Sequence, residues 1–338
     1  MFVIFRKFKF SLKIITIFSI TILLFSSIFI YYSVKADKVQ NIHVPIIMYH
    51  SVLKSKSGKY IVHPETLEND LKYIKDHGYT TITMTDLINF VYSNVALPEK
   101  PIIITFDDGH YNNLTYVLPL LEQYDMVAVI SIVGEYTDRY SKSNEANPNY
   151  SYLRWCDIND LIKTNRIEFQ NHTYNMHSMS NGRNGCMKKK TESLESYQNT
   201  LSENLTKLQN EFNENTGYIP NTFTYPFGAV SNASFDVIKE LGFKASLSCE
   251  EGINIISNDP ECLYMLKRYN RPNNISSDLF FKKFPKMRHP RPLILEVGGS
   301  LFYGKSLKRS TFCSIIMRNS PVRCGALPEP DALLKLTD

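Results

Sequence analysis

The stretch "PIIITFDDGH", residues Pro101 to His110, is the one from which the fold is predicted. Apolar residues typical of a buried strand lead directly into two adjacent acids, Asp107 and Asp108, and then into a glycine. Two carboxylates at the mouth of a hydrophobic strand repel each other and are poorly solvated, so they need a cation, a shared proton or open water. The rest of the sequence must therefore supply a partner for these acids.

Strands and helices alternate along the chain on both sides of this stretch. The predicted strands are short and apolar, and segments with apolar residues at helical spacing separate them. Repeated strand-helix units of this kind predict a parallel sheet covered by helices, an α/β fold. Besides "PIIITF", the predicted strands are "VPIIMY" (44–49), "YTTITM" (79–84), "MVAVISIV" (126–133), "IEFQNH" (167–172), "NTFTYPFG" (221–228) and "ASLSC" (245–249).

Two architectures fit such a sheet, an open doubly wound sheet and a closed barrel. No glycine-rich nucleotide loop follows the first predicted strand, which weakens the dinucleotide-binding form of the open sheet. In a barrel, catalytic groups lie on the loops after the carboxyl ends of the strands. Asp107, Asp108, His172 and the segment Tyr225 to Gly228 all occupy such positions, which favours the barrel.

The composition is that of a globular protein, with 43% hydrophobic and 21% charged residues in a chain of 338. A net charge of +5 without a run of lysine or arginine gives little reason to expect nucleic acid as a partner. The six cysteines are scattered and lack CxxC spacing, which disfavours a cysteine metal site. Cys249 and Cys262 are the one close pair after mid-chain, and a bridge between them stays open at this stage.

The N-terminal segment predicts a membrane anchor. A basic segment, residues 1–13, precedes an uncharged apolar stretch, residues 14–34, which at about 1.5 Å per residue can cross a bilayer core of about 30 Å. Positive charge before the stretch keeps the N-terminus inside. We therefore expect a single-pass cell-membrane protein with a short linker, residues 35–43, and an extracellular catalytic domain. Secretion after cleavage at Ala36 is the alternative.

The C-terminal part, residues 285–338, loses the strand-helix rhythm and becomes rich in arginine. We expect the main domain to end at residue 284, and we assign no function to this irregular tail. A docking tail and a reading-frame artefact are both open.

A second polar cluster, "NHTYNMH", follows the strand Ile167 to Gln170 and contains His172 and His177. Two histidines with one carboxylate, all at strand ends, are a common ligand set for a catalytic divalent metal with open coordination positions. One of the two adjacent acids can then bind the metal. The other acid, kept ionised by the cation, can serve as general base.

At three places the chain resembles the polysaccharide deacetylases, the NodB-homology or carbohydrate esterase 4 family. "TFDDG" (105–109), "NHTYNMH" (171–177) and "TYPFG" (224–228) are similar to the first three motifs of the family in order and spacing, and "VPIIMYHSV" (44–52) is a typical opening of one branch. The resemblance covers residues 44–284. It implies that this range is the catalytic domain and that it folds as a distorted (β/α)7-type, NodB-like barrel.

The resemblance implies a role for each motif residue. Asp107 corresponds to the general base of the family. Asp108, His172 and His177 correspond to its metal ligands, with Zn2+ the expected ion and Co2+, Ni2+ or Mn2+ as alternatives. The backbone amide of Phe227 corresponds to the group that helps stabilise the oxyanion, a contribution commonly worth about 3 kcal/mol of barrier.

The chain departs from the family pattern at three points. Its two histidine ligands are five residues apart instead of four, as in the branch that resembles poly-N-acetylglucosamine deacetylases. The third motif lacks its usual arginine, so Arg268 is the expected substitute that orients Asp107. The leucine-histidine motif near the C-terminus is missing, and we predict His50 as the general acid in preference to His289.

The resemblance also suggests that Trp155 and Tyr225 line the substrate groove, with a buried core position open for Trp155. The predicted enzyme is a metal-dependent N-deacetylase of an extracellular amino-sugar polymer, either peptidoglycan or poly-N-acetylglucosamine. A catalytically impaired cell-surface module that binds glycan is the alternative. A metal phosphodiesterase is less favoured, because the motifs offer no arginine or lysine to clamp phosphate.

Overall fold

The computed structural model describes residues 17–28, 41–180 and 182–284. The chain divides into two compact units, Met1–Asn41 and Ile42–Asp338. In the first unit, residues 17–28 are helical, and this helix is α1. The second unit contains the described strands and the candidate site.

The described helices correct the prediction of a membrane anchor. None of them is both long enough and apolar enough to cross a bilayer. The described stretch of α1 measures about 18 Å, against a bilayer core of about 30 Å. The predicted single-pass membrane location is wrong by this finding. The flanks of the predicted span, the site at Ala36 and the tail 285–338 lie outside the described residues.

Twelve short strands form three sheets within the described residues. Their bounds are β1 Ile42–Val44, β2 Ile46–Tyr49, β3 Ser51–Val52, β4 Ile61–Val62, β5 Thr80–Thr81, β6 Pro101–Asp108, β7 Ala128–Ile132, β8 Ile167–Asn171, β9 Thr222–Thr224, β10 Ala245–Leu247, β11 Asn254–Ile256 and β12 Tyr269–Asn270.

The main sheet is parallel and curled. Its strands follow the order β10-β9-β8-β7-β6-β2-β12, with β5 paired to β6, and all of these pairings are parallel. Side chains from strands across the sheet, among them Ile46, Ile103, Val129 and Leu247, meet in one hydrophobic cluster, so the sheet curls around this face as a half-barrel. The predicted α/β fold is confirmed.

Several helices pack on the opposite face of the sheet, whereas Leu87 and Ile88 of the helix Met84–Ser93 belong to the cluster on the concave face. Ile104 and Phe106 of β6 share a hydrophobic cluster with Leu71, Leu121 and Ile158 from three of the helices. The remaining helices are α2 Pro64–Asp76, α3 Met84–Ser93, α4 Leu118–Tyr124, α5 Gly134–Ser143, α6 Trp155–Lys163, α7 Leu194–Thr216, α8 Ser234–Glu240 and α9 Ser277–Phe281.

The alternation of side chains along β6 positions the two acids. Ile104 and Phe106 face the helices, so Ile103 and Asp107 point to the concave face. The strand then ends in a left-handed turn, with φ of 75° at Asp108 and 76° at Gly109. A Cβ on residue 109 would lie 2.8 Å from the Ile132 side chain, so only glycine fits. The two adjacent acids thus leave the end of β6 in different directions.

Candidate metal and catalytic site

Three side chains at the carboxyl ends of the strands form a candidate metal site. Asp108 is the last residue of β6, His172 follows β8, and His177 lies on the loop beyond. One ligand atom from each of them lies within 4.8 Å of the other two. Asp108 Oδ1 is 3.1 Å from His177 Nε2 and 3.6 Å from His172 Nε2. It is buried and has no hydrogen-bond partner among the described residues. An orphaned carboxylate oxygen between two imidazole nitrogens fits a divalent cation.

The tautomer of His172 is set by the neighbouring strand. Its Nδ1 lies 2.8 Å from the carbonyl oxygen of Thr224 in β9, and a carbonyl can only accept a hydrogen bond. Nδ1 is therefore the protonated nitrogen, and the lone pair of Nε2 faces Asp108. Such a backbone contact is the usual way in which a metal-binding histidine is oriented.

Electrostatics favour an ionised Asp108. Burial on its own would raise the pKa of this carboxyl, but its contacts with His110, His172 and His177 hold the pKa well below the ordinary value. Burial would likewise lower the pKa of His177, but the Asp108 carboxylate outweighs burial and raises it. The Asp108 carboxylate thus lies at the position where a cation fits.

Asp107 is held by an arginine that comes from far along the chain. Arg268 Nη1 donates to Asp107 Oδ1 at 2.7 Å, and Nη2 donates to Oδ2 at 2.9 Å. The Arg268 side chain is fully buried, and its Nε donates to the carbonyl of Ser248 at 2.7 Å. Burial would raise the pKa of Asp107, but Arg268, together with His172 and His50, lowers it. Asp107 is therefore an oriented carboxylate beside the metal cluster.

His50 directly follows β2 and lies near both acids. Its Nδ1 is buried and has no hydrogen-bond partner among the described residues. Burial lowers the pKa of His50, and the charges of Asp107 and Asp108 act in the opposite direction. Its ring packs against the exposed ring of Tyr60, with the centroids 4.8 Å apart. The alternative acid, His289, lies outside the described residues.

Phe227 forms another wall of the site. It adopts a left-handed backbone, with φ 58° and ψ 8°, in the turn Pro226–Gly228. Its ring is 41% exposed and lies 4.4 Å from the ring of His177, centroid to centroid. A strained backbone at such a position is typical of functional sites.

The two predicted groove aromatics have packing roles in the structure. Trp155 is 8% exposed, its Nε1 donates to Asp138 at 2.9 Å, and its ring meets Phe212 edge-on in the core. Tyr225 is fully buried, and its hydroxyl pairs with Ser234 at 2.6 Å. Neither ring faces open solvent, so we do not include them in the substrate groove.

Sequence reasoning missed three aromatic residues beside the metal cluster, His110, Tyr136 and Tyr152. His110 comes two residues after Asp108, so its position was a usable signal. The two tyrosines carry no local signal, because only the fold brings them to the site. The open question of a bridge between Cys249 and Cys262 is also answered, since both cysteines are free.

Comparison with known proteins tests the predicted family resemblance. Residues 94–246 match a family model described as polysaccharide deacetylase. The predicted resemblance to the polysaccharide deacetylases is confirmed. The matched range includes both acids, both histidine ligands and Phe227, whereas His50 and Arg268 lie outside it.

Named relatives of the chain are deacetylases too. The chain is 20% identical over 210 residues to the poly-beta-1,6-N-acetyl-D-glucosamine N-deacetylase of Escherichia coli K12, covering 57% of this chain and 31% of the relative. It is 24% identical over 201 residues to the Staphylococcus aureus MRSA252 protein of the same name, covering 59% of this chain and 65% of the relative. The chain thus spans less than two thirds of either relative.

Solved structures of deacetylases share the fold. A de-N-acetylase from Aggregatibacter actinomycetemcomitans superimposes with a TM-score of 0.61 at 20% identity, covering 72% of this chain and 100% of that one. This likeness establishes the curled parallel fold and nothing finer.

Proposed function

We propose that the protein is a metal-dependent polysaccharide N-deacetylase, which hydrolyses the N-acetyl group of an amino-sugar polymer to a free amine and acetate. The observation that carries the proposal is the placement of Asp107, fixed by Arg268, beside the cluster of Asp108, His172 and His177. A general base next to an open metal site is what amide hydrolysis requires.

The metal would be held by Asp108, His172 and His177, and we propose Zn2+ because its usual ligands are imidazole and carboxylate. An ion held there would supply the positive charge that polarises an acetamide carbonyl and that lowers the pKa of a water molecule.

The remaining groups move protons and stabilise charge. Asp107 would accept the proton of the attacking water, since Arg268 keeps its carboxylate ionised and oriented. The Phe227 amide would donate to the oxyanion that forms on the acetyl carbon. His50 would protonate the leaving amine. Asp107 would thus gain the proton that the water loses, and His50 would lose the proton that the amine gains.

We propose poly-N-acetylglucosamine or peptidoglycan as the substrate. The names of the two curated relatives support the first polymer, and the five-residue spacing of the histidines is consistent with the same branch. Exposed rings beside the site, Tyr60 and Phe227, offer surfaces on which a pyranose can stack.

We further propose that residues 44–284 form one catalytic domain, a distorted (β/α)7-type barrel. Two contacts support closure of the curled sheet. Leu266 makes a parallel bridge to Leu247 of β10, and β12 pairs with β2 a few residues later. The segment that carries Arg268 thus links the two edges of the sheet.

The experiment is an acetate assay on the purified full-length chain. The protein is stripped with a chelator and supplied with Zn2+ or Co2+, and acetate is measured on N-acetylglucosamine oligomers and on peptidoglycan. We expect metal-dependent release that Asp107→Asn abolishes. Glycan binding that persists without metal, with no acetate from either polymer, would refute the enzyme and establish the glycan-binding module.

A further inference from the structure

The second oxygen of Asp108 has a partner outside the ligand cluster. Oδ1 faces His172 and His177, whereas Oδ2 lies 3.4 Å from His110 Nε2. His110 is not among the residues whose ligand atoms cluster within 4.8 Å. The carboxylate therefore turns one oxygen towards the candidate metal position and the other towards His110.

His110 is itself fixed in place. Its ring stacks on Tyr152 with the centroids 4.7 Å apart and the planes inclined by 26°. The backbones of the two residues form an antiparallel bridge, and the neighbouring Leu153 amide donates to the carbonyl of Gly109 at 2.8 Å. The position of the imidazole is thus set by both main chain and side chain.

The same aromatic group reaches a second ligand. The Tyr152 ring lies 4.5 Å from the Tyr136 ring, centroid to centroid. The Tyr136 hydroxyl donates to the carbonyl oxygen of His177 at 3.3 Å, and its ring meets the His177 imidazole edge-on at 6.3 Å. His110, Tyr152 and Tyr136, which we call the aromatic brace, therefore connect Asp108 with His177.

We propose that His110, supported by the aromatic brace, is a positioning residue that holds Asp108 so that Oδ1 alone faces the metal. This inference rests on the proposed metal-dependent function. A free carboxylate can rotate or bind through both oxygens, which would consume a position that water or substrate needs. A donor on Oδ2 prevents both changes.

The expected consequence is a loss of metal affinity. Partners that orient metal ligands from outside typically contribute about 10- to 100-fold to affinity. His110 contacts Asp108 rather than the reacting groups, so its loss weakens metal binding and leaves the fold of the metal-free chain intact.

The test is zinc affinity of the purified full-length chain, measured by competition with a chromophoric chelator. We expect His110→Ala to weaken zinc binding by about 10- to 100-fold. His110→Gln, whose amide can donate to Oδ2, should stay within about threefold of the unchanged protein. The matched control is His77→Ala, because His77 stacks on Tyr73 at 3.6 Å on another part of the domain and should leave zinc affinity unchanged. Melting curves of the metal-free variants report on folding.

Each result decides a different claim. Unchanged zinc affinity in His110→Ala overturns the positioning role and leaves the deacetylase proposal standing. Equal weakening in His110→Gln and His110→Ala also overturns the role, because the replaced donor then has no effect. If His110→Ala melts early, we compare His110→Gln with a third variant, Tyr152→Leu. The positioning role then requires that His110→Gln retain its zinc affinity and that Tyr152→Leu bind zinc more weakly. Absence of zinc binding in the unchanged protein instead refutes the proposed function.

Discussion

Two buried arginines from one short segment, Arg268 and Arg271, each pair with an aspartate, and the two pairs have different surroundings. Arg268 donates to both oxygens of Asp107 at 2.7 and 2.9 Å. Arg271, three residues later, donates to both oxygens of Asp70 at 2.7 and 3.0 Å. Both arginine side chains are fully buried. The hydrogen-bond lengths of the two pairs are nearly the same.

The pairs differ in what surrounds them. Asp70 also accepts from the Tyr49 hydroxyl at 2.7 Å, and Arg271 Nη1 donates to the carbonyl of Ile275 at 3.0 Å. Asp107 instead has Asp108 as its chain neighbour, whose Oδ1 is without a hydrogen-bond partner among the described residues. The Asp70–Arg271 pair is surrounded by its own hydrogen-bond partners, whereas the Asp107–Arg268 pair lies beside a group that lacks one. Unsatisfied neighbours, more than burial or pairing, distinguish a candidate catalytic pair from a structural one.

The largest expected effect is on activity, at Asp107. Asp107→Asn keeps the shape of the side chain and removes the proton acceptor, so we expect acetate release to fall by about 10²- to 10⁴-fold. The change also relieves repulsion with Asp108, so the loss of stability should be smaller than at Asp70. Steady-state acetate release and urea unfolding of the same preparation measure both. Full activity in this variant would contradict the assigned difference between the pairs.

The next effect is on stability, at Asp70. Asp70→Asn leaves the Arg271 charge buried without its counter-ion, and we expect a loss of about 3 to 5 kcal/mol in the free energy of unfolding. Acetate release per folded molecule should stay unchanged, since Asp70 lies on α2 and its hydrogen-bond partners, Tyr49 and Arg271, are not among the candidate ligands. Urea unfolding and the acetate assay together test this. If Asp70→Asn lost activity without losing stability, the distinction between the two pairs would be wrong.

A smaller effect separates the two arginines. Lysine cannot make the two parallel hydrogen bonds of a guanidinium. Arg268→Lys should lower kcat about 10-fold, the equivalent of one charged hydrogen bond of about 1.5 kcal/mol. Arg271→Lys should lower the free energy of unfolding by a similar amount and leave kcat unchanged. If Arg268→Lys instead lowered the free energy of unfolding and Arg271→Lys lowered kcat, the roles of the two pairs would be reversed.

The smallest effect comes from removing the structural pair altogether. We expect the triple change Asp70→Leu, Arg271→Met and Tyr49→Phe to alter the free energy of unfolding by less than about 1 kcal/mol or to raise it, because a buried ion pair often has an apolar substitute of equal stability. Activity should be retained. The corresponding pair of changes, Asp107→Leu with Arg268→Met, serves as the contrast and should abolish acetate release in a folded protein.

Local pattern was enough to predict the strand ends and the residues on them. The apolar run before Asp107 and Asp108, and the strand before His172, placed three of these groups at one edge of a parallel sheet, where the structure has them. The family resemblance directed attention to Arg268, because the usual arginine is missing from the third motif.

Contacts made only by tertiary packing were not predictable. The stacking of His110 on Tyr152 depends on how two loops meet, and nothing in either loop signals it. For Trp155 the sequence left both the groove and the core open, and the ring packs in the core against Phe212. The membrane prediction rested on the length and apolar content of residues 14–34 and on the positive charge before them, and the described helices do not support it.

The central claim is a division of labour between adjacent acids, in which Asp108 binds the metal and Asp107 acts as base. The most direct test measures zinc per chain and acetate release for the unchanged protein, Asp107→Asn and Asp108→Asn. We predict that Asp107→Asn holds as much zinc as the unchanged protein and releases about 10²- to 10⁴-fold less acetate, while Asp108→Asn loses both. Loss of zinc in Asp107→Asn, or retention of zinc and activity in Asp108→Asn, would contradict the account.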